Sequence, residues 1–250
     1  MSVDYNAYLK VCQEAAENDE VFKDFKRHPD YTPILEHVSF SQGLGYLEEI
    51  NQNFPYLLKY INRFATNDTL GNPYIYYYGE LGISISPTTL RYIKVLGDLM
   101  NLFGCLNGID IVEIGVGYGG QCKIIYDWAK PKSYTLIDLS ESLVLSGKYL
   151  KRQYLKQQDL DTIILRNADD PSEIHYDLCI SNYAFTEIGR NYQNFYAEKI
   201  IKNSNKGYIT CNFIASENLT KEEIFALKSN FTVYQEKPLT GDGNLIYTWK

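Results

Sequence analysis

No stretch of this 250-residue chain is apolar for anything near the ~20 residues that a membrane-spanning helix needs. The first twenty residues, MSVDYNAYLKVCQEAAENDE, lack both the basic start and the apolar centre of a secretory signal. A cytoplasmic protein with no membrane partner is therefore expected. Basic charge is scarce as well. The 24 lysines and arginines stand against 31 acids, a net charge of -7, which argues against a nucleic-acid backbone as the main partner. The five cysteines (Cys12, Cys105, Cys122, Cys179, Cys211) form no CxxC pair and no metal-like spacing. Buried free thiols in a reducing compartment are expected, and no metal. Of the three histidines, His28 and His37 lack acid or cysteine partners at ligand spacing and read as structural or surface groups, and His175 falls before a strand, at the sheet edge away from a ligand. With 45% hydrophobic and 22% charged residues, the composition is that of an ordinary globular chain. Its length suits one large domain, or one domain with a substantial extension.

What is present is a glycine-rich turn. Residues 111–125, IVEIGVGYGGQCKII, open as a short apolar run, pass through four glycines within six residues and resume with helical spacing. That is the pattern of a buried parallel strand, a tight turn and a helix whose first amides face a ligand. Glycine is required where the backbone takes positive φ and lets a ligand approach without a Cβ between. Two nucleotide readings fit. Gly115, Gly117 and Gly120 match GxGxxG, with Asp138 following at roughly the 20-residue interval of a dinucleotide site, which would make the protein an NAD-dependent oxidoreductase. Glu113, however, lies two residues before the first glycine in a strand that should be buried, where a carboxylate is costly unless paired.

The series Glu113, Gly115, Gly117, Gly119 resembles motif I of the class I S-adenosylmethionine-dependent methyltransferases. The pattern around it agrees. From Asp110 onward strand and helix patterns alternate, which predicts a parallel α/β sheet. The strands are expected at 111–114, 134–138, 162–166, 178–181 and 207–213, and the last two, 231–236 and 244–249, form a hairpin around Asp242 and Gly243. The resemblance implies a Rossmann-like fold: a seven-stranded, mostly parallel sheet with an antiparallel last strand, preceded by a helical extension. A division into a helical cap that binds the acceptor (1–95) and a cofactor-binding domain (96–250) is expected. In the first part, helical patterns run from Tyr5 to Phe25, across 31–37 and from Leu44 to Phe64, interrupted at His28-Pro29. Residues 67–91 are irregular and crowded with tyrosines, four of the chain's 23 lying between 74 and 78. Ser86 and Pro87 then read as N-cap and first residue of a helix to Phe103. Further helices are expected over 140–156, 190–204 and 221–228.

A closer resemblance spans most of residues 80–215. The segments GISISPTTLRYIKVLGDL, IVEIGVGYGGQCKII, YTLIDL, YDLCISNYAFTEI and GYIT are similar to a bacterial family of sugar O-methyltransferases associated with surface-polysaccharide genes. The resemblance implies S-adenosylmethionine as cofactor and a sugar, or other small capsule precursor, as acceptor. O-methylation of a phosphoryl or phosphoramidate-type group in capsule decoration is the variant reading, and assembly as a homodimer is left open. It further implies Glu113, Gly115, Gly117 and Gly119 at the methionine end of the cofactor, with Tyr118 and Gln121 in the same turn. Asp138 would hold the ribose, Leu139 would lie on the adenine, and Asp169 or Asp170 would face its amino group. Ser181 and Asn182 follow the fourth strand, at the carboxyl edge where such sheets bind ligands.

A hydroxyl acceptor must lose its proton, so a general base is expected within hydrogen-bond reach. Glu187 is the first candidate, with Tyr183 and Glu80 behind it. Arg91 and Arg190 suit an anionic acceptor, because the guanidinium fork matches phosphate, and Tyr77 and Tyr78 are candidate acceptor contacts.

Overall fold

In a computed structural model the described residues are 4–153, 156–170, 172, 174–215 and 217–250. Alternating strands and helices build one seven-stranded sheet covered on both faces. A separate two-stranded hairpin, β1 (Tyr76–Tyr78) and β2 (Ile83–Ile85), occupies the tyrosine-rich stretch that reads as irregular in the sequence. Its strands are three residues long, too short for an alternating pattern to register. The main sheet comprises β3 (Asp110–Ile114), β4 (Ser133–Asp138), β5 (Ile163–Asn167), β6 (Tyr176–Asn182), β7 (Ser204–Cys211), β8 (Thr232–Gln235) and β9 (Leu245–Trp249). Its order is β5-β4-β3-β6-β7-β9-β8. The first five strands in that order run parallel, and β9 lies antiparallel between β7 and β8. The expected Rossmann-like methyltransferase fold, with its antiparallel last strand and N-terminal helices, is the one observed.

The helices are α1 (Tyr5–Glu17), α2 (Phe40–Asn53), α3 (Pro87–Phe103), α4 (Gly120–Trp128), α5 (Ser140–Arg152) and α6 (Arg190–Tyr196), with shorter turns between. Ser86 caps α3 by accepting from the Thr89 amide, with Pro87 in the first turn, as the sequence predicts. The helical pattern expected from Leu44 to Phe64 is split. α2 ends at Asn53, and Pro55 begins a 3-10 turn, because Pro lacks the N–H a continuing helix needs. The helix expected over 140–156 ends at Arg152; residues 154 and 155 of that expectation lie outside the described residues. The helix expected over 190–204 closes in a wider turn at Ala197–Ile201.

Alternation along β3 sends Val112 and Ile114 to a core shared with Ile209, Tyr247 and Trp249, and Ile111 to the opposite core. That second core also takes the N-terminal helices: α1 packs on α5 and α2 on α3, so the extension and the sheet bury one continuous apolar body. α3 runs unbroken across residues 95 and 96, the expected domain boundary. Cys12, Cys122, Cys179 and Cys211 are buried free thiols, and Cys105 is exposed. Among the described residues no helix is long and apolar enough to cross a membrane.

Candidate active site

The carboxyl ends of β3, β4, β5 and β6 open into a cavity of about 560 Å³, within the range of small-molecule and cofactor sites. Its floor is the strand ends: Ile114, Gly115 and Gly117 after β3, Ile137, Asp138 and Leu139 at β4, Ala168 after β5, and Asn182 and Tyr183 at β6. Its roof is the N-terminal extension, through Tyr5, Tyr8, Ile34, Leu35, His37, Gln42 and Tyr46. Glu187, Tyr192, Tyr196 and Asn212 form one side, and Thr240, Gly241 and Asn244 close the end.

Gly115 and Gly117 both have positive φ, 76° and 53°. A Cβ on Gly115 would meet that of Ala184 at 2.0 Å, and one on Gly117 would meet Leu35 of the roof at 2.6 Å. The turn thus needs glycine for its dihedrals and for two close approaches. It is locked to β4 by Asp138. The Val116 and Gly117 amides donate to Asp138 Oδ2 at 2.8 and 3.0 Å, and the Leu139 amide donates to Oδ1 at 2.7 Å. Desolvation by its surroundings pushes this carboxyl above its ordinary value, against those three N–H bonds. The Ser142 side chain adds a fourth hydrogen bond to this carboxyl.

Glu113 does not line the cavity. It is buried under the sheet face toward α4 and accepts the Tyr134 hydroxyl at 2.8 Å; burial pushes its carboxyl up to about 8. Gly119 starts α4 in the left-handed conformation. Tyr118 and Gln121 are buried behind the turn, Tyr118 bonded to Asn67 and Gln121 to the Tyr92 carbonyl. None of these three is on the wall. Asp169 accepts from the Tyr192 hydroxyl at 2.8 Å just outside the cavity, while Asp170 pairs with Arg166 and Ser172. Ser181 is buried and ties β6 to β3, donating to the Ile114 carbonyl at 2.9 Å. Asn182 is on the wall, with both amide atoms buried and without a hydrogen-bond partner.

The acceptor-side candidates separate in the same way. Glu187 is on the wall and accepts from the Asn212 amide at 2.5 Å. Tyr183 is on the wall at φ 68°, a strained conformation for a bulky residue, and donates its hydroxyl to Glu236. Arg91 is 6% exposed and lines the cavity. Glu80 is exposed on the turn between β1 and β2; Tyr77 is exposed on β1 and Tyr78 buried beside Gly43, all three off the wall. Arg190 is likewise off it, clamped by both oxygens of Glu223 at 2.8 Å and by two backbone carbonyls. Among the described residues no group of three or more His, Cys, Asp or Glu side chains is placed to hold a metal ion.

Several wall residues have no signal in the sequence. The roof residues lie 70–110 positions before the glycine turn and carry no motif. His37, expected to be structural or on the surface, stands on the cavity wall. Glu236, which fixes Tyr183, follows an edge strand with no pattern to mark it.

The strand order and the glycine turn define a Rossmann-like fold of the methyltransferase type. No protein-family model and no curated protein matches the chain. Solved structures with a similar course include the methyltransferase domain of bacterial CtHen1, at 12% identity over 64% of this chain and 97% of that one, TM-score 0.47. The PH0226 protein of Pyrococcus horikoshii OT3 is similar at 12% identity over 64% and 89%, TM-score 0.49. Magnesium protoporphyrin IX methyltransferase of Synechocystis PCC 6803, with bound SAM, is similar at 10% identity over 64% and 81%, TM-score 0.48.

Proposed function

We propose that the protein is an S-adenosylmethionine-dependent O-methyltransferase acting on a sugar or another small surface-polysaccharide precursor. The observation that carries the reading is the cavity itself. It runs from a carboxylate placed to meet a ribose, Asp138 at the end of β4, past a glycine turn to the proton-accepting side chain of Glu187 beyond β6. The groups present suit this cofactor. The positive-φ glycines let the turn pack tightly beneath the cavity, Asp138 stands on the wall at the end of β4, and Leu139, 39% exposed, offers an apolar face to a base. An antiparallel β9 in place of a second parallel half speaks for this cofactor over a nicotinamide dinucleotide.

When bound, S-adenosylmethionine supplies a methyl group already activated by its sulfonium. The chain's own work is then to hold the acceptor oxygen in line, exclude water and take one proton. The helical roof excludes water, Asn182 offers an unpaired amide to the ligand, and Glu187 takes the acceptor's proton. The test is formation of S-adenosylhomocysteine from S-adenosylmethionine with a panel of free sugars, sugar phosphates and sugar nucleotides. Turnover with a sugar hydroxyl, abolished in Glu187→Gln while cofactor affinity persists, is the expected result. Full activity in that variant removes Glu187 from the role, and turnover with no member of the panel removes the sugar acceptor.

A further inference from the structure

Arg91 is a buried cation without an ion-pair partner among the described residues. It belongs to the first turns of α3, is 94% buried and lines the cavity, yet among the described residues no carboxylate lies within ion-pair distance of it. Among the described residues its hydrogen bond is a long one, 3.5 Å from Nη2 to the Leu35 carbonyl, and its Nε is buried with no partner. The rings of Tyr92 and Tyr183 lie beside the guanidinium, at 5.5 and 5.7 Å. An isolated charge in such a place is costly unless something pairs with it.

The charged neighbours are committed elsewhere. Lys94 is paired to Asp98 at 2.7 Å. Glu236 accepts from four donors, the Tyr183 hydroxyl at Oε1 and the Thr240 hydroxyl, Thr240 amide and Asn244 side chain at Oε2. Glu36 is buried nearby, its carboxyl pushed up to about 7 by desolvation, and stays outside ion-pair distance. Position in the sheet indicates which ligand Arg91 faces. Asp138 and the glycine turn stand at β4 and β3, whereas Arg91 meets Tyr183 after β6 and shares a small void with Tyr208 and Thr210 of β7. That places Arg91 on the β6–β7 side of the cavity, while its bond to the Leu35 carbonyl holds it to the roof above the glycine turn.

We propose that Arg91 is the seat of an anionic oxyacid group, phosphate or carboxylate, carried by the acceptor, so that the substrate class is a charged sugar derivative rather than a neutral one. The fork of the guanidinium matches either group, and Asn182, with its unpaired amide, stands on the same wall. The inference rests on the methyltransferase reading. It specifies what the acceptor must bring: a negative group on the face that meets Arg91 and a hydroxyl within reach of Glu187.

Binding measurements test it without a known acceptor. Glucose 1-phosphate, glucuronate and glucose are titrated calorimetrically into protein saturated with S-adenosylhomocysteine. S-adenosylhomocysteine and methylthioadenosine, which lacks the amino-acid carboxylate, are titrated separately into the free protein. The expected result is binding of at least one anionic sugar and not of glucose, weakened at least tenfold in Arg91→Gln, with both nucleosides bound as in the parent. Arg91→Lys, which retains the buried charge, serves as the second variant if Arg91→Gln does not fold; partial loss of the anionic probe is expected there. Loss of S-adenosylhomocysteine but not methylthioadenosine affinity in the variants would overturn the proposal, because the anion would then be the cofactor's own carboxylate. Equal binding of glucose, no binding of the anionic sugars, or unchanged binding in the variants would overturn it too. Failure of the parent to bind either nucleoside would instead remove the methyltransferase reading beneath it.

Discussion

The hydroxyl of Tyr183 donates to the carboxylate of Glu236, joining the end of β6 to the loop before β9 across 53 residues of sequence. Glu236 is the hub of that loop, because Thr240 and Asn244 also donate to it. Removing the hub strands several buried donors, while removing one spoke leaves the others in place. Glu236→Ala should therefore cost about 1–3 kcal/mol of stability, and Tyr183→Phe only about 1 kcal/mol. Denaturant unfolding of the two variants checks this. A larger loss in Tyr183→Phe than in Glu236→Ala contradicts it.

Gly115→Ala places a Cβ 2.0 Å from that of Ala184 on a backbone of φ 76°. Neither atom belongs to a flexible chain end, so the turn itself must move. A loss of about 1–3 kcal/mol is expected, from strain alone, and nucleoside binding should fall with it. A variant that melts and binds like the parent would show that the turn has slack the structure does not contain.

Asp138 has two tasks, since the amides that it holds shape the turn and the residue itself lines the cavity. Asp138→Ala should weaken S-adenosylhomocysteine by about 1.5–3 kcal/mol, the range for hydrogen bonds to a charged group. Unchanged affinity by calorimetry would mean that β4 does not meet the ribose.

Glu113 gives a pH signature. Its carboxyl is pushed from an ordinary 4.5 up to about 8, largely by desolvation. Between those values the folded protein keeps the proton and the unfolded chain releases it, so this group's contribution to stability falls as pH rises. The fall is up to about 1.4 kcal/mol per pH unit. Glu36, raised to about 7 by the same cause, adds a fall over a narrower window. Glu113→Gln keeps an acceptor for the Tyr134 hydroxyl and should flatten the decline between pH 5 and 8. Parallel stability curves for parent and variant would contradict the assignment.

These contrasts show what the chain discloses on paper. Periodicity located α3 with its Ser86 cap, and the strands from β3 to β9 within a few residues, because each is bounded by strong turn or cap chemistry. The glycine turn was legible for the same reason: positive φ leaves few residues to choose from. The roof was not, since Leu35 and Tyr46 come from helices whose packing partners lie far along the chain, and nothing local marks which side of such a helix will face a cavity. Glu113 stood out as a buried acid, but only the fold revealed that a tyrosine on the neighbouring strand, Tyr134, satisfies it. Arg91 and Arg190 look equivalent in sequence. Glu223 clamps Arg190, whereas among the described residues no carboxylate pairs with Arg91, a difference that arises only in three dimensions.

The central claim is the cofactor, and the most direct measurement is calorimetric titration of the purified protein with S-adenosylhomocysteine, with NAD as the parallel ligand. The account predicts micromolar binding of S-adenosylhomocysteine and none of NAD. Binding of NAD alone would contradict it, and would return Gly115, Gly117 and Gly120 to the dinucleotide reading.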